Sequence, residues 1–295
     1  MTSKKSEARR LIIFLLLAFA VAWIPALVLN NVFGYHKWFE TNKMLLLAQP
    51  VLYAPALANI ITRKLTHEGW HNSMLHLNLK GNLKYYITAL LIVSVMSAAD
   101  GIFTTIIYGN NDWSELGRYF TCEQTASMLL KTFATVPLYA FITFGEEFGW
   151  RGYMNQKMKP IFGTVGTVII GGIIWGMWYI PLIVGGRNFG TDYSGYPHLG
   201  IGAMCVICIF HGMMLMWLTE KTGSVYPAAI AHAMIDFGGK NTNQLLLSGV
   251  ADDFSPTVTQ QLVMMLPTFV ICLVFMLLML RDNKKRKAAV LPKTQ

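Results

Sequence analysis

Apolar residues in this chain gather into long runs, not the strict alternation of a strand or the one-sided stripe of a surface helix. A helix needs about 20 mostly apolar residues to cross the ~30 Å hydrocarbon core of a bilayer. Eight stretches reach or approach that length: Leu11 to Asn30, Met44 to Thr62, Tyr85 to Tyr108, Gln124 to Gly145, Ile161 to Val184, Leu199 to Thr219, Val225 to Phe237, and Phe254 to Leu280. The seventh is short, and the third is interrupted by Asp100. No repeat of fixed period and no Gly/Ser linker divides the chain. The pattern predicts an all-α, polytopic transmembrane helix bundle of about eight spans, one integral membrane domain over residues 1–295.

The polar segments between the runs orient it. Lys4, Lys5, Arg9 and Arg10 precede the first run, and Arg281, Lys284, Lys285, Arg286 and Lys287 follow the last. Arg63, Lys64, Lys80 and Lys84, then Arg151, Lys157 and Lys159, then Lys221 fall on the same side, whereas the opposite loops carry Asp112, Glu115 and Glu123 against Arg118, then Arg187 with Asp192, then Asp252 and Asp253 with Lys240. Lys and Arg concentrate on the cytoplasmic side of membrane proteins, so both termini are expected there. An odd number of spans would put the basic tail outside. The first run outlasts a signal-peptide core and is read as a retained span. Thr66 to Lys84, with His67, His71 and His76 among apolar residues, reads as an amphipathic helix along the interface.

Composition narrows the function. Apolar residues make up 54% of the chain and charged residues 13%, about half the ~25% usual for a soluble domain, so a water-soluble enzyme is excluded. The net charge of +9 abuts the apolar runs, which suits lipid headgroups; no basic face with stacking aromatics points to nucleic acid. Four cysteines cannot staple 295 residues, and Cys205 and Cys208, a lone C-x-x-C inside the sixth run, read as packing.

Ionisable residues at bilayer depth cost about 2.5–3.5 kcal/mol each on insertion scales, and each needs a reason. Asp100, Glu146, Glu147, Arg151, His211, His232 and Asp236 are of this kind. Glu147 and Arg151 stand four apart and can pair on one helix face, which leaves Glu146 about 100° away as a general base. A solvated cytoplasmic cap is the other reading of the same residues. His232 and Asp236 are one turn apart, with His232 roughly 13 Å below Gly223, where an imidazole can move a proton, bind a metal, donate to an oxyanion or simply satisfy a neighbouring helix. Ile174 to Pro181 is an aromatic stretch with a kink at Pro181.

Together these elements resemble the CAAX-protease and bacteriocin-processing family of intramembrane endopeptidases, over about Phe133 to Phe237. Its motif Glu-Glu-x-x-x-Arg is met by Glu146, Glu147 and Arg151. Its Phe-x-x-x-His motif meets Trp175-x-x-x-Tyr179 followed by Ile180-Pro181, and its third motif meets Thr222, Gly223, Ser224, Pro227, His232 and Asp236. The resemblance implies a helical bundle with a polar cavity open to the cytosol and hydrolysis of a membrane-tethered peptide or protein at a bacterial-type plasma membrane, as in peptide or bacteriocin processing or self-immunity. It implies that Glu146 activates water, His232 and Asp236 steady the oxyanion, and Arg151 holds Glu147.

The chain departs from the family at Tyr179, which stands where the family places a histidine. A phenol with a pKa near 10 is a poor base at neutral pH and a rare zinc ligand, but it donates a hydrogen bond. Two readings follow. Another histidine substitutes, which makes Glu146, His211 and His232 the candidate ligands of a zinc ion. Alternatively, the chain is a non-enzymatic immunity or scaffold protein on the same fold.

Overall fold

The structure is a computed structural model of the chain, and it describes residues 4–33, 51–109, 122–238 and 255–290. The described residues are helical with no strand. The helices are α1 (Lys4–Phe33), α2 (Ala54–Leu65), α3 (Leu83–Tyr108), α4 (Cys122–Gly149), α5 (Asn155–Trp178), α6 (Ile180–Val184), α7 (His198–Thr222), α8 (Tyr226–Ala233), α9 (Val258–Met264) and α10 (Leu266–Val290). A five-residue π-turn, Trp150–Met154, joins α4 to α5, and a second, Met234–Gly238, extends α8.

Five apolar helical stretches are long enough to cross a bilayer: Lys4–Val32, Leu83–Tyr108, Leu130–Trp178, His198–Thr222 and Leu266–Arg286. The third contains two of the segments expected as separate crossings. They reverse at Gly163 (φ 68°, ψ −178°), a conformation open essentially to glycine alone. After the reversal Gly171 comes back beside Asn155 and Met158, and Trp175 comes back beside Glu146. Of the expected crossings at 44–62 and 225–237, the described residues show only parts: α2 with 12 residues, and α8 with 8 continued by its π-turn, about 18 and 12 Å for the two α-helices at 1.5 Å per residue, each segment bordering residues outside the description. The beginning of the 44–62 segment and the acidic residues expected in loops 110–121 and 239–254 lie outside the described residues.

Returning down the hairpin, α5 packs along α7. Gly172 and Gly176, one turn apart, permit the approach: a Cβ on either would stand 2.5 Å from the Cα of Ile209 or Cys205. Cys205 therefore packs against a helix backbone and Cys208 is buried, both as free thiols.

The segment expected as an interfacial helix from Thr66 to Lys84 is instead a looping strap. Left-handed residues at His67, Gly69, Met74, Asn78 and Gly81 turn the chain repeatedly, which no helix tolerates. Arg63, buried at the end of α2, holds the strap by bonds to Gly69 O (2.8 Å) and to Asn72 Oδ1 (2.8 Å). Glu68 accepts from Tyr153 OH (3.0 Å) and Lys157, while Lys157 also pairs with Glu7 (3.0 Å) at the start of α1. Burial pushes the Glu68 carboxyl up, but Lys157, Tyr153 and Arg10 outweigh it and hold the group below its ordinary range. Lys159, two residues on, pairs with Glu220 of α7 (2.5 Å) and Asn283 of α10 donates to Thr164 at the bend (2.8 Å). The first turns of α1, the hairpin bend and the last turns of α10 thus share one end of the bundle.

Asp100, unexplained by sequence, is buried in α3 and caps α10. Its Oδ1 accepts from Thr268 N (2.9 Å) and its Oδ2 from Thr268 Oγ1 (2.7 Å). The first N–H groups of a helix have no partner in their own helix, and hydrocarbon offers no water to replace one.

Asp100→Ala orphans the Thr268 amide and is expected to cost about 1–3 kcal/mol, read as a lowered unfolding midpoint in detergent, with Asp100→Asn losing less. Gly163→Ala has open space for its Cβ, so any loss reports backbone strain alone; about 1–3 kcal/mol is expected, against no loss for Gly202→Ala, which also has open space and lies in regular helix.

Candidate active site

Three breaks in helical regularity bring the site together. The first is the π-turn after Gly149. Where the ladder widens, Phe148 O is met by Asn59 Nδ2 of α2 (2.8 Å), which fixes the end of α4 carrying Glu146 and Glu147. The second is the step between α5 and α6. Pro181 has no N–H, and Leu182 N donates to Tyr179 O (2.9 Å), so Trp178 O is released from the ladder. Trp23 of α1 donates to that carbonyl (3.1 Å), and Asn30 donates to Pro181 O (3.2 Å). Tyr179 is therefore held at a fixed bend. The third is the reversal from α7 to α8. Gly223 ends α7 in the left-handed region, Tyr226 N donates to Ser224 Oγ (3.3 Å), Pro227 opens α8, and Val225 N donates to Met74 O of the strap (3.1 Å). Thr143 of α4 then anchors α8 by donating to Ala229 O (2.8 Å).

The result is a cluster sealed from solvent: Glu146 is 1% exposed, Glu147 0% and His232 2%. Glu146 Oε2 accepts from the Trp175 indole at 2.8 Å, and the Tyr179 phenol reaches Oε1 and Oε2 at 3.2 and 3.3 Å. Glu147 Oε1 accepts from Arg151 Nη1 (2.9 Å) and lies 2.8 Å from His232 Nδ1. Glu147 Oε2 has no partner among the described residues. The two carboxylates, adjacent in sequence, thus serve different groups. Glu147 does more than pair with Arg151, since it also fixes which face of the imidazole points away. His232 Nε2 lies 3.8 Å from Asp236 Oδ2, beyond hydrogen-bond reach, and the Asp236 side chain is 28% exposed. Asp236 marks the side on which the cluster meets its surroundings.

Trp175, which the sequence presents as part of an aromatic stretch and a motif position without a chemical role, is central to the cluster. Besides donating to Glu146, its ring stands edge-on to His232 (centroids 5.3 Å, 80°) and carries the Arg151 guanidinium over its face at 4.0 Å. One indole touches three of the charged groups. Its spacing four residues before Tyr179 puts both on one face, which is the signal the sequence held.

His211 is buried on α7, near enough to His232 and Arg151 to feel their charge. The expected zinc set does not fit the residues present. Glu146, His211 and His232 do not form a ligating group, nor does any set of three or more His, Cys, Asp or Glu among the described residues. Glu146 is already engaged by two donors, His232 Nδ1 by Glu147, and the third family position is a phenol.

The part of the chain that carries this cluster is similar to known proteins. Residues 128–238 match the family model described as type II CAAX prenyl endopeptidase Rce1-like. Over 109 residues the chain is 28% identical to CAAX prenyl protease 2 of Methanococcus maripaludis, a stretch that covers 36% of this chain and 38% of that protein. The matched region contains Glu146, Glu147, Arg151, Trp175, Tyr179, His211, His232 and Asp236, and in this multi-pass, all-helical protein the segment from residue 128 to residue 238 is similar to the CAAX prenyl endopeptidases.

Proposed function

We propose that this protein is an intramembrane endopeptidase that hydrolyses a peptide bond of a membrane-tethered substrate, with Glu146 as the general base. The observation that carries this reading is the division of labour between adjacent carboxylates: Glu147 is taken by Arg151 and His232, while Glu146 is held only by neutral donors. A carboxylate has about four lone-pair sites, and the indole and phenol leave room for a water.

The residues then act in sequence. Glu146 takes a proton from water as its oxygen attacks the scissile carbonyl carbon. The carbonyl oxygen gains the negative charge and accepts from His232 Nε2, whose Nδ1 is fixed by Glu147, and from the Tyr179 hydroxyl, whose one proton turns from Glu146 once that carboxylate is protonated. Glu146 then returns the proton to the leaving amine as the carbon–nitrogen bond breaks. A positioned base supplies about 10²–10⁴-fold and an oxyanion donor about 10²–10³-fold. No step is routed through a metal, because the donor set does not suit one. The localisation that goes with this reading is a bacterial-type plasma membrane, and peptide or bacteriocin processing is the role that suits a buried, bilayer-level site.

A second reading rests on Tyr179: without the family histidine, the same fold serves as a non-enzymatic immunity or scaffold protein. Cleavage of a membrane-tethered reporter peptide separates the two. Glu146→Gln and His232→Ala are expected to abolish cleavage while the protein still inserts, and undiminished turnover in either sinks the assigned roles. Tyr179→His is expected to keep or raise activity, whereas Tyr179→Phe lowers kcat about 10-fold or more by removing one donor. If no variant and no wild-type preparation cleaves, yet an immunity phenotype survives Glu146→Gln, the non-enzymatic reading holds.

Stability reports the other carboxylate. Arg151→Met leaves Glu147 half-paired in a dry site and is expected to cost about 3–5 kcal/mol. The double variant Glu147→Gln/Arg151→Met should recover much of that loss in thermal unfolding, although it stays inactive.

A further inference from the structure

A cavity lies beside the Glu146–Glu147–His232 cluster, between the hairpin and the ends of α7 and α10, and shares Arg151 with it. Its volume is about 220 Å³, and its walls bring together Arg151 from the π-turn, Lys159 from α5 and Arg286 from α10, with Glu220 the only carboxylate lining it. We propose that this cavity binds the phosphate of an anionic membrane phospholipid.

Charge is the first argument. Arg151 is matched by Glu147 at 2.9 Å, Lys159 by Glu220 at 2.5 Å, and the neighbouring Lys221 by Asp282 at 2.5 Å. Every carboxylate at the cavity is thereby used, and Arg286 forms no ion pair among the described residues, so the site carries positive charge beyond neutrality. With Arg151 and Lys159 each paired, Arg286 supplies the charge in excess, and three cations converging from separate elements favour an anion at the cavity.

Depth is the second. Asn283 of α10 is hydrogen-bonded to Thr164 at the hairpin bend, which places the bend and this turn of α10 at one level. Just below it Phe162, Leu277 and Leu280 are exposed apolar side chains, and just beyond it come Lys284, Lys285 and Arg286. Leu280 and Arg286 are separated by roughly 9 Å along the helix, the step from hydrocarbon to headgroup. The cavity therefore stands where a lipid phosphate sits, and basic pockets between helix ends are the usual seats of anionic headgroups. The third argument is size: 220 Å³ accommodates a phosphate with its glycerol but not a peptide of several residues. Arg151 both lines the cavity and pairs with Glu147, which links lipid occupancy to the group that holds Glu147.

The test counts lipid and does not depend on peptide cleavage. The full chain in detergent is titrated with phosphatidylglycerol or phosphatidylcholine, and bound lipid is measured by native mass spectrometry. Preferential retention of phosphatidylglycerol is expected, weakened about 10- to 30-fold in Lys159→Met/Arg286→Ala. Arg286→Glu, at an exposed position that does not endanger folding, should lose it as well. Lys284→Ala/Lys285→Ala removes the same number of charges outside the cavity and should retain binding within about twofold. Equal retention of the two lipids, or equal loss in the tail control, overturns the proposal. Inorganic phosphate that stabilises the protein as much as phosphatidylglycerol does would assign the cavity to a free anion instead. Displacement of the lipid by a peptide with a free C-terminal carboxylate, but not by its amide, would assign it to substrate.

Discussion

The bond on which the site depends is the one between Glu147 and its two partners. In a dry interior a lone carboxylate is not tolerated, and several kcal/mol must be recovered through close, well-directed donors. Arg151 and His232 supply them from different elements, so this one oxygen ties α4, the π-turn and α8 into a single unit. The imidazole orientation follows from it: with Nδ1 committed, Nε2 has one direction left in which to act. Trp175 completes the arrangement by covering Arg151 and bracing His232 while it donates to Glu146.

Irregular backbone is what makes such a cluster possible at bilayer depth. Breaks and starts of the α-helical ladder expose carbonyls and amides that lipid cannot satisfy, and four are met by a side chain of another helix: Phe148 O by Asn59, Trp178 O by Trp23, Pro181 O by Asn30, Thr268 N by Asp100. These contacts also fix the angles at which Glu146, Tyr179 and His232 project. α1 and α2 are thereby tied to the site although neither contributes a side chain to the cluster of Glu146, Glu147 and His232.

Tyr179 and Trp175, four residues apart, both present neutral donors to Glu146: the indole to Oε2 and the phenol to either oxygen. The neighbouring carboxylate is held differently, since Glu147 accepts from the Arg151 guanidinium. Adjacent acids of one helix are thus set in unlike surroundings, one beside a cation and one among uncharged hydrogen-bond donors.

Much of this was legible in the letters. Length and apolarity of the runs gave an all-helical membrane bundle, because hydrocarbon permits a spanning chain few alternatives. The Glu-Glu-x-x-x-Arg spacing placed Glu147 beside Arg151, since residues four apart on a helix are neighbours. Local spacing could not reveal that His232 would close on Glu147 across 85 positions, that Asp236 would stand off, that His211 would stay outside a ligand group, or that Asp100 would cap a helix 168 residues away. Nor could it show the strap at Thr66 as a loop or the reversal at Gly163. Local order follows from periodicity and burial alone, which a sequence displays directly. Convergence depends on which unsatisfied group of one helix meets which donor of another, and only the folded chain decides that.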